Sequence, residues 1–256
     1  LENNELSRLL KALPLTLALA ALSIVATSCG STNQSQVRVI NAVPDAPNNL
    51  DVYFNGSKIV TDMAFDAVSP TPSTPAAYTN VASGSIPIEA FTTGNTSTNS
   101  GAIVPANIDA NLIGATPYTV VLDGYSTEAI AEAFEDFNTP PTTGYVEFRV
   151  INASPSGPTN GADVYFVPSG TTDITNYAAQ VPHLGNGQAT TYQNLPFLAT
   201  GYWMIVTVNG NKTPIATYAP TAAWPANGSI TTLVLLDNAG GNNGMSPTPL
   251  VLNDLN

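Results

Sequence analysis

Histidine and cysteine occur once each in these 256 residues, and lysine and arginine together only six times. A zinc site needs three or four imidazole, thiolate or carboxylate ligands with the soft ones dominant, and His183 with Cys29 cannot supply them. A Ser-His-Asp triad needs a base beside an activated serine. The chain has no Gly-x-Ser-x-Gly elbow, and His183 sits among turn residues in Val181-Pro182-His183-Leu184-Gly185, so it reads as a loop side chain without a counterpart elsewhere. With one cysteine there is no internal disulfide, and any domain must hold by core burial, which is feasible at about 100 residues. The net charge of −12 repels phosphate backbones and argues against nucleic acid as a partner. Charged residues make up 9%, against roughly 25% in typical soluble chains. Thr, Asn, Ser, Gly and Pro take their place, a mixture that suits strands joined by many turns.

The first segment has the three parts of an export signal. Arg8 and Lys11 are followed by an apolar stretch over 12–25 and by Ala26-Thr27-Ser28-Cys29. That stretch is shorter than the ~20 residues of a membrane span; an uncleaved anchor is the alternative. The cysteine and the small residues before it resemble a lipobox, with Ala26 in place of the usual Leu. The expectation is a signal peptide over 1–28, lipid attachment (diacylglycerol and an N-acyl chain such as palmitate) at Cys29, and a polar tether over 29–36. Gly30 in place of Asp points to the outer membrane or cell surface. More than one acyl chain gives stable anchoring.

The remainder repeats itself. Arg38-Val39-Ile40-Asn41-Ala42-Val43-Pro44 matches Arg149-Val150-Ile151-Asn152-Ala153-Ser154-Pro155, and Asp-Val-Tyr-Phe follows at 51–54 and 163–166. Tyr78 aligns with Tyr192, Asp123 with Asp237, and Asp136 with Asp254. The units are assigned to 37–138 and 145–256, with the Pro-rich segment 139–144 as a stiff spacer.

Short β-branched and aromatic runs at 36–41, 50–54, 86–92, 118–122, 145–151, 163–167, 202–208 and 229–236 predict strands. Asn209-Gly210 signals a hairpin. The predicted fold class is all-β, two tandem immunoglobulin-like β-sandwiches of about seven strands each. Residues 126–136 have helix formers behind Ser126, but their repeat counterpart at 249–253 is a poor helix. The repeat therefore favours an edge strand in both units.

The doubled Arg-Val-Ile-Asn-Ala-x-Pro with Asp-Val-Tyr resembles the signature of a bacterial family, domain of unknown function 4397. Its members often read Arg-Val-x-His-Ala-Ser-Pro-Asp-Ala-Pro; here Asn41 and Asn152 replace the His. The resemblance covers two tandem copies and implies a secreted or surface β-rich module without established activity.

The site candidates are few. Asp123, Asp136, Asp237 and Asp254 recur at strand ends, where turn capping competes with calcium binding; no EF-hand run appears. Glu135-Asp136 and Glu128/Glu132 could be glycosidase acids, but Asn253 stands where Glu135 would repeat, and a solvated edge is the better account. Arg38 with Asp51 and Arg149 with Asp163 suggest a structural ion pair in each unit. The loops 43–48 and 154–160 fix corners or serve recognition. Tyr202, Trp203 and Trp224 are candidate contact residues for a protein or glycan. No cofactor or metal is assigned. The function expected is a non-enzymatic envelope lipoprotein displaying two modules for protein or glycan contact. The alternatives are an assembly subunit using edge-strand pairing and, less favoured, a hydrolase with an unfamiliar site.

Overall fold

The computed structural model describes residues 34–95, 101–105, 109–241 and 244–255. The expected signal peptide, Cys29 and most of the expected tether lie outside the described residues.

In the first half, β1 (Gln34–Asn41), β4 (Val68–Ser69), β5 (Thr79–Ala82), β9 (Pro117–Asp123) and β10 (Ile130–Glu135) form one sheet, ordered β10-β9-β1, with β4 and β5 both on the far side of β1. Facing it are β2 (Leu50–Phe54), β3 (Ser57–Met63), β6 (Gly84–Thr92), β7 (Ala102–Val104) and β8 (Asp109–Leu112), ordered β3-β2-β6, with β7 and β8 along the edge of β6. β1 and β9 run parallel and every other pairing in this half is antiparallel.

The second half repeats this plan. β11 (Tyr145–Ala153), β14 (Gln188–Ala189), β15 (Gln193–Pro196), β18 (Ile230–Leu236) and β19 (Leu250–Asn253) make the first sheet, and β11 and β18 again run parallel. β12 (Ala162–Pro168), β13 (Val181–Leu184), β16 (Tyr202–Val208) and β17 (Pro214–Tyr218) make the second. The fold is all-β, and the strands expected from sequence form. Each half has more than seven strands, because the partners of β1, β6 and β11 are broken into short pieces.

Alternation on each strand explains the core. Val37 and Val39 enter the first core, with Val52, Phe54, Ile86, Ile88, Val120 and Leu122. Phe148 and Val150 enter the second, with Val164, Phe166, Met204, Leu233 and Leu235. The opposite faces of β1, β9, β11 and β18 are apolar as well. Ile40, Val121, Ile151, Val234, Leu236 and Leu252 form a third cluster drawn from both halves. The two inner sheets therefore pack back to back, and β9 and β18 are buried along nearly their whole length. Strands covered on both faces read as continuous apolar runs, as in Leu233-Val234-Leu235-Leu236.

This packing corrects two expectations. The segment 139–144 joins halves in direct contact and does not hold them apart as a spacer. The tether ends earlier than assigned: residues 34–36 already belong to β1, and Ser35 is buried with its hydroxyl donating to Ile113 O at 2.7 Å. The stretch 126–136 forms no helix; it turns and then pairs as β10 with β9, placing Ala131 and Ala133 against the first core.

Candidate functional site

Arg38 and Arg149 each lie one residue from a core valine, so their side chains point into the seam between the halves. There they meet. The Arg38 guanidinium donates to Asp254 and lies 3.2 Å from Asp136; its Nε donates to Thr119 Oγ1 at 2.8 Å and its Nη1 to Asn253 O at 3.0 Å. Arg149 Nη2 donates to Asp136 at 2.5 Å, its Nε to Thr232 Oγ1 at 3.1 Å and its Nη1 to Glu135 O at 2.7 Å. The hydroxyls of Tyr78 and Tyr192 donate to Asp136 and Asp254, both at 2.8 Å. Their rings also lie beside the Arg38 and Arg149 guanidiniums.

Each arginine thus binds the terminal aspartate of the other half, the reciprocal pattern of a two-fold interface. All four charged residues are buried. Burial pushes the Arg38 guanidinium down, but Asp136 and Asp254 more than reverse this and hold it above its ordinary range. Burial raises the Tyr78 and Tyr192 phenols well above theirs. The centre is a satisfied network with no accessible reactive group, and it reads as a structural lock.

The lock overturns the expected Arg38–Asp51 and Arg149–Asp163 pairs, and the turn-capping role of Asp136 and Asp254. Asp51 and Asp163 belong to the outer sheets. Asp51 accepts Lys58 Nζ at 2.6 Å and the Asp62 amide at 2.9 Å. Asp163 accepts the amides of His183 and Gly210, both at 2.9 Å. Asp62 and His183 have positive φ, 56° and 57°, opposite irregular registers of β2 and β12. His183 therefore has a counterpart after all, Asp62, and both are bulge residues whose amides the Asp-Val-Tyr aspartate pins. The His183 ring lies exposed, with Nδ1 at 2.8 Å from Asn209 Nδ2. Asn41 and Asn152 are likewise structural, donating to Met63 O and Leu184 O at 3.1 Å each.

Beside the lock runs a groove of about 550 Å³ lined by Phe134, Glu135, Phe137, Glu147, Thr191 and Tyr192, among others. Phe137 is 54% exposed, and its ring centroid lies 5.9 Å from that of Tyr192. A second groove, of about 440 Å³, includes Thr74, Trp224, Val251, Asn253 and Leu255. Asn253 and Leu255 are the repeat positions of Glu135 and Phe137, so the grooves are related but have diverged. Trp224 is half-buried and meets Tyr218 edge-on at 5.5 Å. Tyr202 is not a contact residue: it is buried in the second core, its hydroxyl donating to Pro196 O at 2.7 Å. Trp203 packs on the outer cluster of Tyr165, Val167, Ile174 and Ile205. Phe137 and Tyr192 were missed as candidates. Their only sequence signal was their place beside the repeated Asp136 and the aligned Tyr78.

At the other end of the seam, acids gather. Asp123 is 1% exposed. Its Oδ1 accepts the Gly124 amide at 2.6 Å, while Oδ2 finds no hydrogen-bond partner among the described residues. Burial raises its carboxyl to about 6, offset in part by the Gly124 amide and by the N–H groups of Asn186 and Gly187 nearby, which approach the carboxylate without bonding Oδ2. Burial and the nearby Asp123 raise Glu132 to about 7, so Glu132 is not on a solvated edge. Strand pairing also corrects the repeat alignment. Arg38 faces Thr119 and Arg149 faces Thr232, which puts Asp123 opposite Leu236 in the repeat, one place from Asp237. Asp237 instead accepts the Ser154 hydroxyl and, at 3.1 Å, the Ser156 amide. Among the described residues, no three His, Cys, Asp or Glu side chains already converge as a metal site.

Two β-sandwiches joined face to face by reciprocal ion pairs, with a groove at the join, define a non-covalently locked tandem β protein. A family model described as a domain of unknown function, DUF4397, matches residues 35–165, just over half of the chain, and the chain belongs to that family. The match runs from β1 into β12 and takes in both Arg-Val-Ile-Asn-Ala motifs. No curated protein matches the chain. A solved structure described as alpha-glucan binding by a streptococcal virulence factor is similar at 10% identity and a TM-score of 0.23, covering 84% of this chain and 97% of its own; at that score the likeness bears on neither fold nor ligand.

Proposed function

We propose that the chain is a non-enzymatic lipoprotein of the bacterial envelope, built from two copies of the family domain and anchored through Cys29, and that the groove beside the lock holds a neutral glycan. The observation that carries the ligand is the lining: the exposed Phe137 ring and the half-buried Tyr192 ring share the groove wall with Glu135, Glu147 and Thr191. Ring faces stack on the C–H face of a sugar, and carboxylates and hydroxyls accept and donate to its hydroxyl groups. The net charge of −12 and the two glutamates disfavour acidic polymers. The apolar run ending in Ala26-Thr27-Ser28-Cys29 supports export and lipidation.

The test is calorimetric titration with neutral hexose oligosaccharides, comparing the protein with Phe137→Ala. Binding that weakens about 3- to 10-fold in the variant, with thermal stability unchanged, is the expected result. Binding that is absent, or indifferent to Phe137, rejects the glycan reading. For the anchor, the intact mass of protein taken from native membranes should begin at Cys29 plus acyl chains, whereas an unmodified Cys29 on an uncleaved leader rejects lipidation.

A further inference from the structure

The fold does not require an acid at position 123. The same place in the second half holds Leu236, which is buried in the apolar seam cluster. In the first half that place holds a buried carboxylate with one oxygen unpartnered. Such a group costs stability unless something compensates it. Among the described residues no cation does so. Arg38 and Arg149 are committed to Asp136 and Asp254, Lys58 to Asp51 and Lys212 to Tyr177 O. These are all the lysines and arginines among the described residues.

Asp123 borders a cavity of about 220 Å³ whose lining also includes Gly124, Tyr125, Glu128, Pro155 and Asn186. The turn after β9 brings Glu128 back over Tyr125, with its amide donating to Tyr125 O at 2.9 Å. Glu132 follows on the same face of β10 as Ile130. Its carboxylate lies so close to Gly187 that a Cβ there would stand 3.0 Å from both oxygens. The cavity thus spans the seam: Asp123 and Glu128 come from the first half, Asn186 and Pro155 from the second.

We infer that this cavity is a calcium site, with Asp123 Oδ2 as the buried ligand, Glu128 as an exposed carboxylate drawn in from the turn, and Asn186 of the other half turning its amide, which otherwise faces Asp123 as a donor, to present its oxygen. Calcium takes oxygen ligands in flexible geometry and completes its shell with water, whereas magnesium demands a near-ideal octahedron. A site with two or three protein ligands that draws one of them in suits calcium. Its affinity belongs to the range of extracellular modules, about 10⁻⁴ to 10⁻³ M. Bound there, the ion ties the two halves together at the end of the seam opposite the arginine lock.

The experiment is calcium titration of the whole chain, stripped with chelator, by calorimetry, with terbium luminescence excited through tyrosine as a second readout. Tyr125 borders the cavity and is placed to sensitise the lanthanide. Saturable calcium binding at sub-millimolar to millimolar concentration, competing with terbium and lost in Asp123→Asn, is the expected result. Tyr125→Phe should lower the luminescence while leaving calcium affinity intact. If Asp123→Asn does not fold, Glu128→Gln decides, because Glu128 is exposed and its loss should weaken binding at least about 5-fold. No saturable binding, or affinity unchanged in both carboxylate variants, overturns the site. The glycan reading is untouched by either outcome, since the groove lies elsewhere along the seam.

Discussion

The four buried charges of the lock are worth most as a set. Removing one partner leaves another buried and uncompensated, which costs about 3–5 kcal/mol. Asp254→Asn should therefore lower the urea midpoint strongly. Arg38→Met combined with Asp254→Leu should cost much less than the sum of the two single changes, as a double-mutant cycle in denaturant would show. The carboxylates at the other end of the seam have no arginine or lysine paired with them among the described residues. Asp123 and Glu132 have folded-state pKa values raised to about 6 and about 7, with Asp237 and Glu128 the other acids near them. A raised acid binds its proton more tightly in the folded state, so its contribution is full below the ordinary carboxylate range and is lost as pH rises through the folded value. In chelator, stability should fall between pH 4 and pH 7, by on the order of 2 kcal/mol for Asp123; a melting series that stays flat there rejects this, and Asp123→Asn should flatten the slope. The sequence showed that the arginines recur but misassigned their partners. Alternation on β1 puts Arg38 on the face opposite Val37 and Val39, yet nothing in the chain says what covers that face. The recurrence of Tyr78 with Tyr192 and Asp136 with Asp254 was the usable signal.

Elements whose local preference conflicts with their final state reveal where tertiary structure decides. Residues 128–133 are good helix formers, yet 126–128 turn and 130–135 form a strand, because β9 offers a buried edge whose backbone groups need partners. Only the comparison with β19 made this legible. The paired bulges were not legible, because an aspartate in Asp-Val-Tyr announces neither the left-handed residue it binds nor the strand on which that residue lies. Since the His183 amide and not its ring performs the pinning, His183→Asn should leave stability within about 0.5 kcal/mol, asparagine being well suited to positive φ. A loss of more than 2 kcal/mol in thermal unfolding would show that the imidazole matters. Gly201 should behave differently. It has φ +75°, and a Cβ there would lie 2.6 Å from Trp224 N. Gly201→Ala must push back the chain that carries Trp224, so both stability and the Trp224 fluorescence maximum should change. In Gly56→Ala nothing lies within 4 Å, leaving only the backbone strain of about 1 kcal/mol.

A repeated sequence says that a unit occurs twice; it does not say that the copies pack. Prolines at 140 and 141 suggested separation, while the unbroken apolar run of β18 argued the other way: a strand with no polar face is covered on both sides. The structure follows the strand. The seam buries Ile40, Val121, Ile151, Val234 and Leu252 and closes over ion pairs whose partners lie in opposite halves. Either half alone would expose an apolar sheet face and strand a buried arginine, each a cause of association or unfolding. The halves should therefore unfold together. Calorimetry on the whole chain is expected to give one transition with equal calorimetric and van't Hoff enthalpies, and a fragment ending in the 139–144 segment should aggregate or dimerise through the exposed face on size-exclusion chromatography. Two separated transitions, or a stable monomeric first half, would mean that the seam contributes little. The groove beside the lock would then be a cleft between two bodies free to part, whereas a single transition makes it part of one rigid surface.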